Sequence, residues 1–496
     1  MVKPVVLLIG GIDPQGAAGL TVDIQTVTQL GGHPVSLVTC LTEQTAQGLT
    51  RLNPLGTAEF KAQLACCCSD FELAAIKIGL LPNSAIAEIV AEFIKTQTVP
   101  VVLDPVLSIS HGGEVDSAIA VLIKAHFLPH LTLLTPNLPE LQQLAGDGEP
   151  SQQIDILIQQ GLSACLVKGG HDSGAFSTDF YKDAFSQFSL GLPRLPYPMR
   201  GTGCRLATAI ATQLAFGHRC QDAIVLARSY VAEAYQQASS VGPYRLLGNF
   251  SWQLNRQSLP AVHDQTKPVE QSWSFARCPE QLGVYAVVDS ADWVRRCLQS
   301  GIRTVQLRIK EAEQSHITRE IQQAIHEAAA FQDSRLFIND HWQLAIQYGA
   351  YGVHLGQEDL QQADLEAIAR AGLRLGISTH SHWELARALA VQPSYIALGP
   401  VYPTTSKQMP WQPQGLHTVR EWLRILENTI PLVAIGGITV PRAVMLHELG
   451  VKSVAMISAI TRSADTQQVI RALLALWPET ETEKTKQQSS QKISVN

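Results

Sequence analysis

Residues 200–209 read RGTGCRLATA, a glycine–threonine–glycine turn that runs straight into an alanine-rich helical pattern. A turn of that kind at a helix start aims backbone N–H groups at an anion, usually a phosphate. A second glycine-rich stretch, GGIDPQGAAG (10–19), follows the first apolar run, but it lacks the lysine of a P-loop and the GxGxxG spacing of a dinucleotide fold. The anion turn therefore closes its region rather than opening it. Between the two lie the strand-like runs VVLLIGG (5–11), VSLVTCL (35–41), AAIKIGL (74–80), VVLDPV (101–106), LTLLTPN (131–137) and CLVKGG (165–170), then a hairpin near DFYKDAFSQFSL (179–190). With helical stretches between them, they predict a mostly parallel sheet with helices on both faces and a site at the strand ends.

The 496 residues suffice for roughly two to four domains. A hydrophobic share of 46% with 16% charged residues describes a globular chain, and the net charge of −6 argues against nucleic acid or an anionic membrane as partner. Nine cysteines, none in a CxxC pair, fit a reducing, cytoplasmic setting. Three adjoin in LACCCSD (64–70), where the spacing suits zinc poorly and burial is expected. The apolar start is too short to span a bilayer and reads as a first strand. Residues 246–280 are polar and without sustained periodicity, which predicts a linker between domains at 1–245 and 281–478; residues 479–496 read as a disordered tail.

The second region repeats a simpler pattern. YAVVD (285–289), TVQLRI (304–309), LFIND (336–340), GVHLG (352–356), LGIST (375–379), YIALGPV (395–401), LVAIGGI (432–438) and SVAMIS (453–458) are eight β-rich runs, many separated by helical stretches. They predict a closed (β/α)8 barrel, with an open doubly wound sheet as the alternative. Polar residues gather where a barrel places its chemistry, at the strands' C-terminal ends: Gln306, Arg308, Lys310, Asn339, Asp340, Asp359, Ser378, and Thr404, Thr405, Ser406 and Lys407. Basic side chains, hydroxyls and bare amides suit a phosphorylated ligand. An aspartate pair in that company suits Mg2+ held against a diphosphate.

At these residues the region from about 283 to 477 resembles thiamine-phosphate synthase, through QLRIK, FINDHW, GVHLGQEDL, GISTH, GPVYPTTSKQMP and AIGGI. The resemblance implies condensation of a pyrimidine diphosphate with a thiazole phosphate, releasing diphosphate. It implies that Gln306, Arg308, Lys310, Asn339, Ser378 and Lys407 hold the pyrimidine diphosphate, with the neighbours Thr404, Thr405 and Ser406 reaching it and the thiazole phosphate. Gly437, Ile457 and Ser458 complete the thiazole phosphate site, and Asp340 and Asp359 bind magnesium. Ser406 stands where threonine is common in the family.

Residues 4–220 resemble the ribokinase-like superfamily, specifically hydroxymethylpyrimidine and phosphomethylpyrimidine kinase, through DPQGAAG, VDIQT, VTCLTEQ, KIGLL, VVLDPV, TPNLPE, VKGGH and GTGC. The resemblance implies ATP as co-substrate, Gln44 on the aminopyrimidine, Asn137 and Glu140 near magnesium-phosphate, Lys168 for phosphate charge, and an anion hole from Gly201, Gly203 and the Cys204 amide. Asp23 either binds substrate or caps its helix. Cys204 stands where the superfamily's sugar kinases carry aspartate; at a helix N-terminus its thiol is expected at a lowered pKa, fit to accept a proton, with an inert packing role as the alternative. Arg200 replaces the family's usual histidine, Arg205 and Ala207 replace small hydroxyl residues, and Gln15 and Ala17 depart from serine and glycine; the arginines either serve phosphate or mark a decayed site. The whole chain is thus expected to be a bifunctional thiamine-biosynthesis enzyme acting on small molecules. A catalytically silent, pyrimidine-binding kinase fold ahead of an active barrel is the alternative, and self-association into a homo-oligomer stays open.

Overall fold

The computed structural model describes residues 2–107, 116–169, 174–194, 199–247, 250–264, 272–310, 312–404, 411–427 and 429–478. The chain divides into two compact units, Met1–Val269 and Glu270–Asn496.

The strands of the first unit are β1 (Val5–Ile12), β2 (His33–Thr45), β3 (Gly48–Pro54), β4 (Ala75–Ile78), β5 (Val101–Leu103), β6 (Leu133–Leu134), β7 (Ala164–Val167), β8 (Phe176–Asp183), β9 (Gln187–Pro193), β10 (Ser239–Val241), β11 (Tyr244–Leu246) and β12 (Ala261–His263). Apart from the small β10–β11 hairpin they form one sheet, ordered β12-β9-β8-β7-β6-β5-β4-β1-β2-β3. The centre, from β2 to β7, is parallel, and β3, β8, β9 and β12 pair antiparallel at its flanks. Its strands read as unbroken apolar runs because both faces are covered. The helices are α1 (Gly19–Gln29), α2 (Thr57–Ser69), α3 (Ser84–Ile94), α4 (Ala118–Leu122), α5 (Leu138–Ala145), α6 (Pro150–Gln159), α7 (Thr202–Ala215) and α8 (Cys220–Gln236). On one face Leu7, Ile9, Ile76, Ile78 and Leu103 pack with Phe60, Ile86, Val90, Leu141 and Leu157 of α2, α3, α5 and α6. On the other, α7 packs against α1, α8 and the strands β1, β4 and β5.

The second unit is a closed barrel of eight parallel strands: β13 (Gly283–Val288), β14 (Thr304–Leu307), β15 (Arg335–Asn339), β16 (Gly352–Leu355), β17 (Arg374–Thr379), β18 (Tyr395–Leu398), β19 (Leu432–Ile435) and β20 (Ser453–Met456). Each pairs with the next, and β13 closes on β20. The open-sheet alternative is thereby excluded.

The span expected to be a linker is largely built into the two units. Ala261–His263 adds a strand to β9, and Leu254 and Leu259 are buried. Phe275 is buried, the Ala276 carbonyl accepts from Ser394 Oγ (2.7 Å) and the Arg277 carbonyl from Arg374 Nε (3.1 Å). Periodicity fails over such segments because single anchors, not a repeating face, dock them. Fragments cut at 269/270 are therefore expected to fold separately and unfold in two independent calorimetric transitions, whereas ending the first at residue 248 should lower its Tm by removing β12. Equal melting of the 1–248 and 1–269 fragments would refute this.

The cysteine run also departs from expectation. Cys66 and Cys68 are exposed and only Cys67 is half-buried, because α2 docks through Phe60 and successive residues rotate about 100° around a helix axis. Among the described residues no helix is long and apolar enough to cross a membrane.

Candidate active sites

In the first unit the parallel strands deliver side chains to a common edge. Asp104 follows β5, Asn137 follows β6, Lys168 follows β7, and Gln44 lies at the end of β2. Helix α7 starts above them. Its N-cap Gly201 has φ +73, and a Cβ there would lie 2.4 Å from the Ala17 carbonyl oxygen, so glycine is required. The N–H groups of Thr202, Gly203 and Cys204 begin the helix, where such donors lack intrahelical partners. A Cβ on Gly203 would approach Lys168 Nζ to 3.3 Å, which puts this ammonium directly beside the turn.

Lys168 is held by Asp104 at 2.5 Å and lies 3.9 Å from Glu140. Burial works to lower its pKa, but the two carboxylates outweigh it and the pKa rises. Burial also pushes Glu140 up to about 7, with Asp104 adding to it and Lys168 opposing. Asn137 and Glu140 form a reciprocal cap on α5: each side chain accepts the other's backbone N–H at 2.8 Å. They thus brace the strand end as well as facing the lysine.

Three expectations change here. Asp23 caps nothing, since the N-cap of α1 is Ala18. Wholly buried, it takes Lys77 Nζ at 2.7 Å and Thr208 Oγ1 at 2.7 Å, a structural pair beneath α7 with no exposed carboxylate oxygen to offer a substrate. Arg205 is buried and turns away from the anion turn, its Nη1 reaching Thr26 Oγ1 (3.5 Å) and Tyr230 Oη (3.4 Å). Cys204 is half-buried, and burial pushes its thiol up to about 11 despite the nearby Lys77 charge, so the expected lowered pKa is not found. Desolvation outweighs the helix terminus.

Arg200 stays at the site. It donates to the Thr45 carbonyl (3.0 Å) and to Gln44 Oε1 (3.4 Å), and its guanidinium lies over the Tyr244 ring at 5.9 Å. Tyr244 in turn donates to Gln15. Asp104 was missed by sequence reasoning although VVLDPV was in view; a carboxylate directly after a buried parallel strand was the available signal.

In the barrel, Gln306 and Asn339 are buried, Arg308 and Ser378 half-buried, and Lys310 exposed, all at or beside the C-terminal ends of β14, β15 and β17. Asp340 has φ +61, and Asn339 Nδ2 donates to its Oδ2 at 2.5 Å. Asp359 Oδ2 accepts the Gly356 N–H (3.1 Å). Asp340 as a residue stays open to solvent, yet desolvation of its carboxyl, followed by the charge of Asp359 facing it, raises its pKa to about 6, with Arg308 opposing. Two facing carboxylates, one of them on a left-handed backbone, beside a guanidinium fit a divalent cation. Among the described residues no cluster of three or more His, Cys, Asp or Glu could hold a metal, so water and ligand oxygens would have to complete the shell, as magnesium prefers.

Gly437 has φ +65, and a Cβ there would lie 2.5 Å from the Pro403 carbonyl oxygen, so bare backbone faces the loop after β18. Ile457 and Ser458 directly follow β20. Strands seven and eight are where such barrels hold phosphate. Thr404 is described; Thr405, Ser406 and Lys407 lie outside the described residues. Sequence reasoning passed over His354, Tyr285 and Tyr395, which stand buried within strands and read as core. It also passed over Gln357, whose Nε2 donates to the Ser378 carbonyl at 2.7 Å.

Comparison with known proteins agrees with this division. Residues 13–248 match the profile of the family described as phosphomethylpyrimidine kinase, and residues 284–460 that of thiamine monophosphate synthase. The thiamine-phosphate synthase of Serratia proteamaculans is 52% identical over 202 residues, 41% of this chain and 94% of that protein. That of Neisseria meningitidis serogroup B is 53% identical over 206 residues, 41% and 98%. Among solved structures, the pyridoxal kinase of Staphylococcus aureus with ADP is 24% identical, covers 53% of this chain and 98% of its own, and has a TM-score of 0.48. Phosphomethylpyrimidine kinase from Clostridium difficile is 25% identical, covers 47% and 100%, and has a TM-score of 0.42.

Proposed function

Because this chain belongs to the thiamine-phosphate synthase family and carries a phosphomethylpyrimidine kinase unit ahead of the barrel, we propose that it makes thiamine phosphate in two stages, each on its own strand-end site. In the first, ATP phosphorylates hydroxymethylpyrimidine and then its phosphate. Gln44 reads the aminopyrimidine, the Gly201–Cys204 amides and Lys168 receive the transferred phosphoryl group, and Asn137 and Glu140 border it. Phosphoryl transfer passes through a loose transition state, so positioning and charge carry most of the catalysis.

In the second stage the barrel condenses the pyrimidine diphosphate with thiazole phosphate. Departure of diphosphate leaves a cation that the aminopyrimidine delocalises, so the protein needs no nucleophile. Arg308, Lys310 and Lys407 take up the leaving-group charge, while Gln306, Asn339 and Ser378 orient the ring. Gly437, Ile457 and Ser458, with Thr404, Thr405 and Ser406, hold the thiazole phosphate. Magnesium, held by Asp340 and Asp359, would neutralise diphosphate charge when bound. The observation that supports the reading most is this facing carboxylate pair beside Arg308, an arrangement with little use except around a cation and an anion together. All nine cysteines are free thiols, which fits the cytoplasm, where we place the reactions.

The test is stepwise. Phosphomethylpyrimidine, ATP and magnesium without thiazole phosphate should give the pyrimidine diphosphate; adding thiazole phosphate should give thiamine phosphate and diphosphate. Absence of the first product, with the second formed from supplied diphosphate, would favour the silent, pyrimidine-binding kinase fold. Within the kinase, Lys168→Met is expected to lower kcat/KM by about tenfold to hundredfold, the range for one charge-assisted hydrogen bond. An unchanged kcat/KM would remove Lys168 from the phosphate site.

A further inference from the structure

Five side chains inside the barrel form one continuous hydrogen-bonded row. Gln306 Nε2 donates to Tyr285 Oη (3.2 Å), the Tyr285 and Tyr395 hydroxyls are 2.8 Å apart, Tyr395 Oη lies 2.7 Å from His354 Nδ1, and His354 Nε2 lies 2.8 Å from Ser378 Oγ. All are buried except Ser378, which is half-open near the end of β17. The row runs from β14 through β13, β18 and β16 to β17, so five strands of the closed barrel must be in place to make it.

A hydroxyl carries a single proton, and a neutral imidazole carries one proton on one of two nitrogens. The direction of each bond therefore follows from the one before it. Tyr285 accepts from Gln306, so its own proton goes to Tyr395, and the Tyr395 proton goes to Nδ1. His354 then carries its proton on Nε2 and gives it to Ser378 Oγ. In the reverse direction His354 would donate to Tyr395 and Tyr395 to Tyr285. With the Gln306 amide donating as it does here, Tyr285 would then accept twice and hold a buried O–H with no acceptor in the row, an arrangement that native interiors avoid. Burial also keeps both phenols protonated, as the row requires.

We infer that this row fixes Ser378 as a hydrogen-bond donor at the strand ends, with Tyr395 and His354 as positioning residues that act through it. With Oγ occupied as an acceptor by His354, the Ser378 proton is left for the substrate, and it selects an acceptor atom such as a ring nitrogen of an aminopyrimidine. The identity of that ligand rests on the synthase reading; the proton order does not. The same polarity applies at the other end of the row: with its N–H given to Tyr285, Gln306 has its carbonyl oxygen for an exocyclic amino group, a donor.

The test uses full-length protein labelled with 15N-histidine, read by long-range 1H–15N correlation, with the His354 signals identified by their loss in His354→Gln. In the wild type, Nε2 is expected to be protonated and Nδ1 bare. Tyr395→Phe removes the hydrogen-bond partner of Nδ1, so the imidazole keeps its proton on Nε2, where Ser378 accepts it, but is no longer held in one orientation and no longer fixes Ser378. Synthase kcat/KM on supplied pyrimidine diphosphate should then fall about tenfold. The double variant Tyr395→Phe/Ser378→Ala should be no slower than Ser378→Ala alone, since both changes act through one hydroxyl. A wild-type His354 protonated on Nδ1, a synthase kcat/KM unchanged by Tyr395→Phe, or additive losses in the double variant would each overturn the inference. Once His354 is assigned, the wild-type spectrum decides the proton order even if Tyr395→Phe fails to fold. A wild type that makes no thiamine phosphate would overturn the synthase reading while leaving the proton order to the spectrum.

Discussion

Asp340→Asn is expected to lower synthase turnover at limiting magnesium by about two to three orders of magnitude, the range for removing one preorganised charge-stabilising group. Kinase turnover should not change, because its site is built from the other unit. The same exchange should stabilise the metal-free protein. A carboxyl whose folded pKa is raised, here to about 6 from 3.8 by desolvation and then by Asp359, opposes folding wherever it is ionised. That penalty is complete above about pH 6 and fades as the pH falls through 6 toward 4. The gain in Tm for Asp340→Asn should therefore be largest near neutral pH and vanish near pH 4. Asparagine tolerates the left-handed backbone at this position, so the exchange tests charge and not strain. Magnesium should raise the wild-type Tm and leave the variant nearly unmoved. Near-wild-type turnover at limiting magnesium, or no gain in Tm at neutral pH, would dissolve the metal assignment.

The carboxylate pair was legible in the sequence for the same reason the barrel was. Eight short apolar runs leave polar residues only at their C-terminal ends, and in a parallel barrel those ends converge. Asp340 and Asp359 are 19 positions apart and could be paired only because FIND and GVHLG were read as successive strands. What stayed hidden was polar chemistry inside strands. His354, Tyr285 and Tyr395 occupy inward positions where an aromatic residue is ordinarily packing, and only the closing of β13, β16 and β18 into one barrel joins them. Asp23 failed in the opposite direction. An aspartate five residues into α1 looks like a cap or a ligand, and its partner Lys77 lies 54 positions away on β4, invisible to local reasoning. Antiparallel additions such as β3 and β12 were missed because edge strands lack the doubly buried apolar run that marked their parallel neighbours.

Cys204 is where helix position and burial give opposite expectations, and the kinase rate should report which prevails. With the thiol pushed up to about 11, only about one molecule in ten thousand carries a thiolate at pH 7. If that thiolate accepts the substrate proton, kinase turnover should rise roughly tenfold per pH unit between about pH 7 and 9. Cys204→Ala is then expected to lose about two orders of magnitude near pH 7, the low end for a general base, and more at pH 9, because the variant should not climb. ATP affinity should hold, since the turn's amides belong to the backbone, and synthase turnover should be unaffected. Cys204→Ser should restore neither rate nor slope, because a hydroxyl of similar size is far less acidic than the thiol. A Cys204→Ala enzyme with the wild-type rate and pH profile would show that the thiol only packs beneath the phosphate. The amides and Lys168 would then suffice, as a loose transition state that needs little base assistance allows.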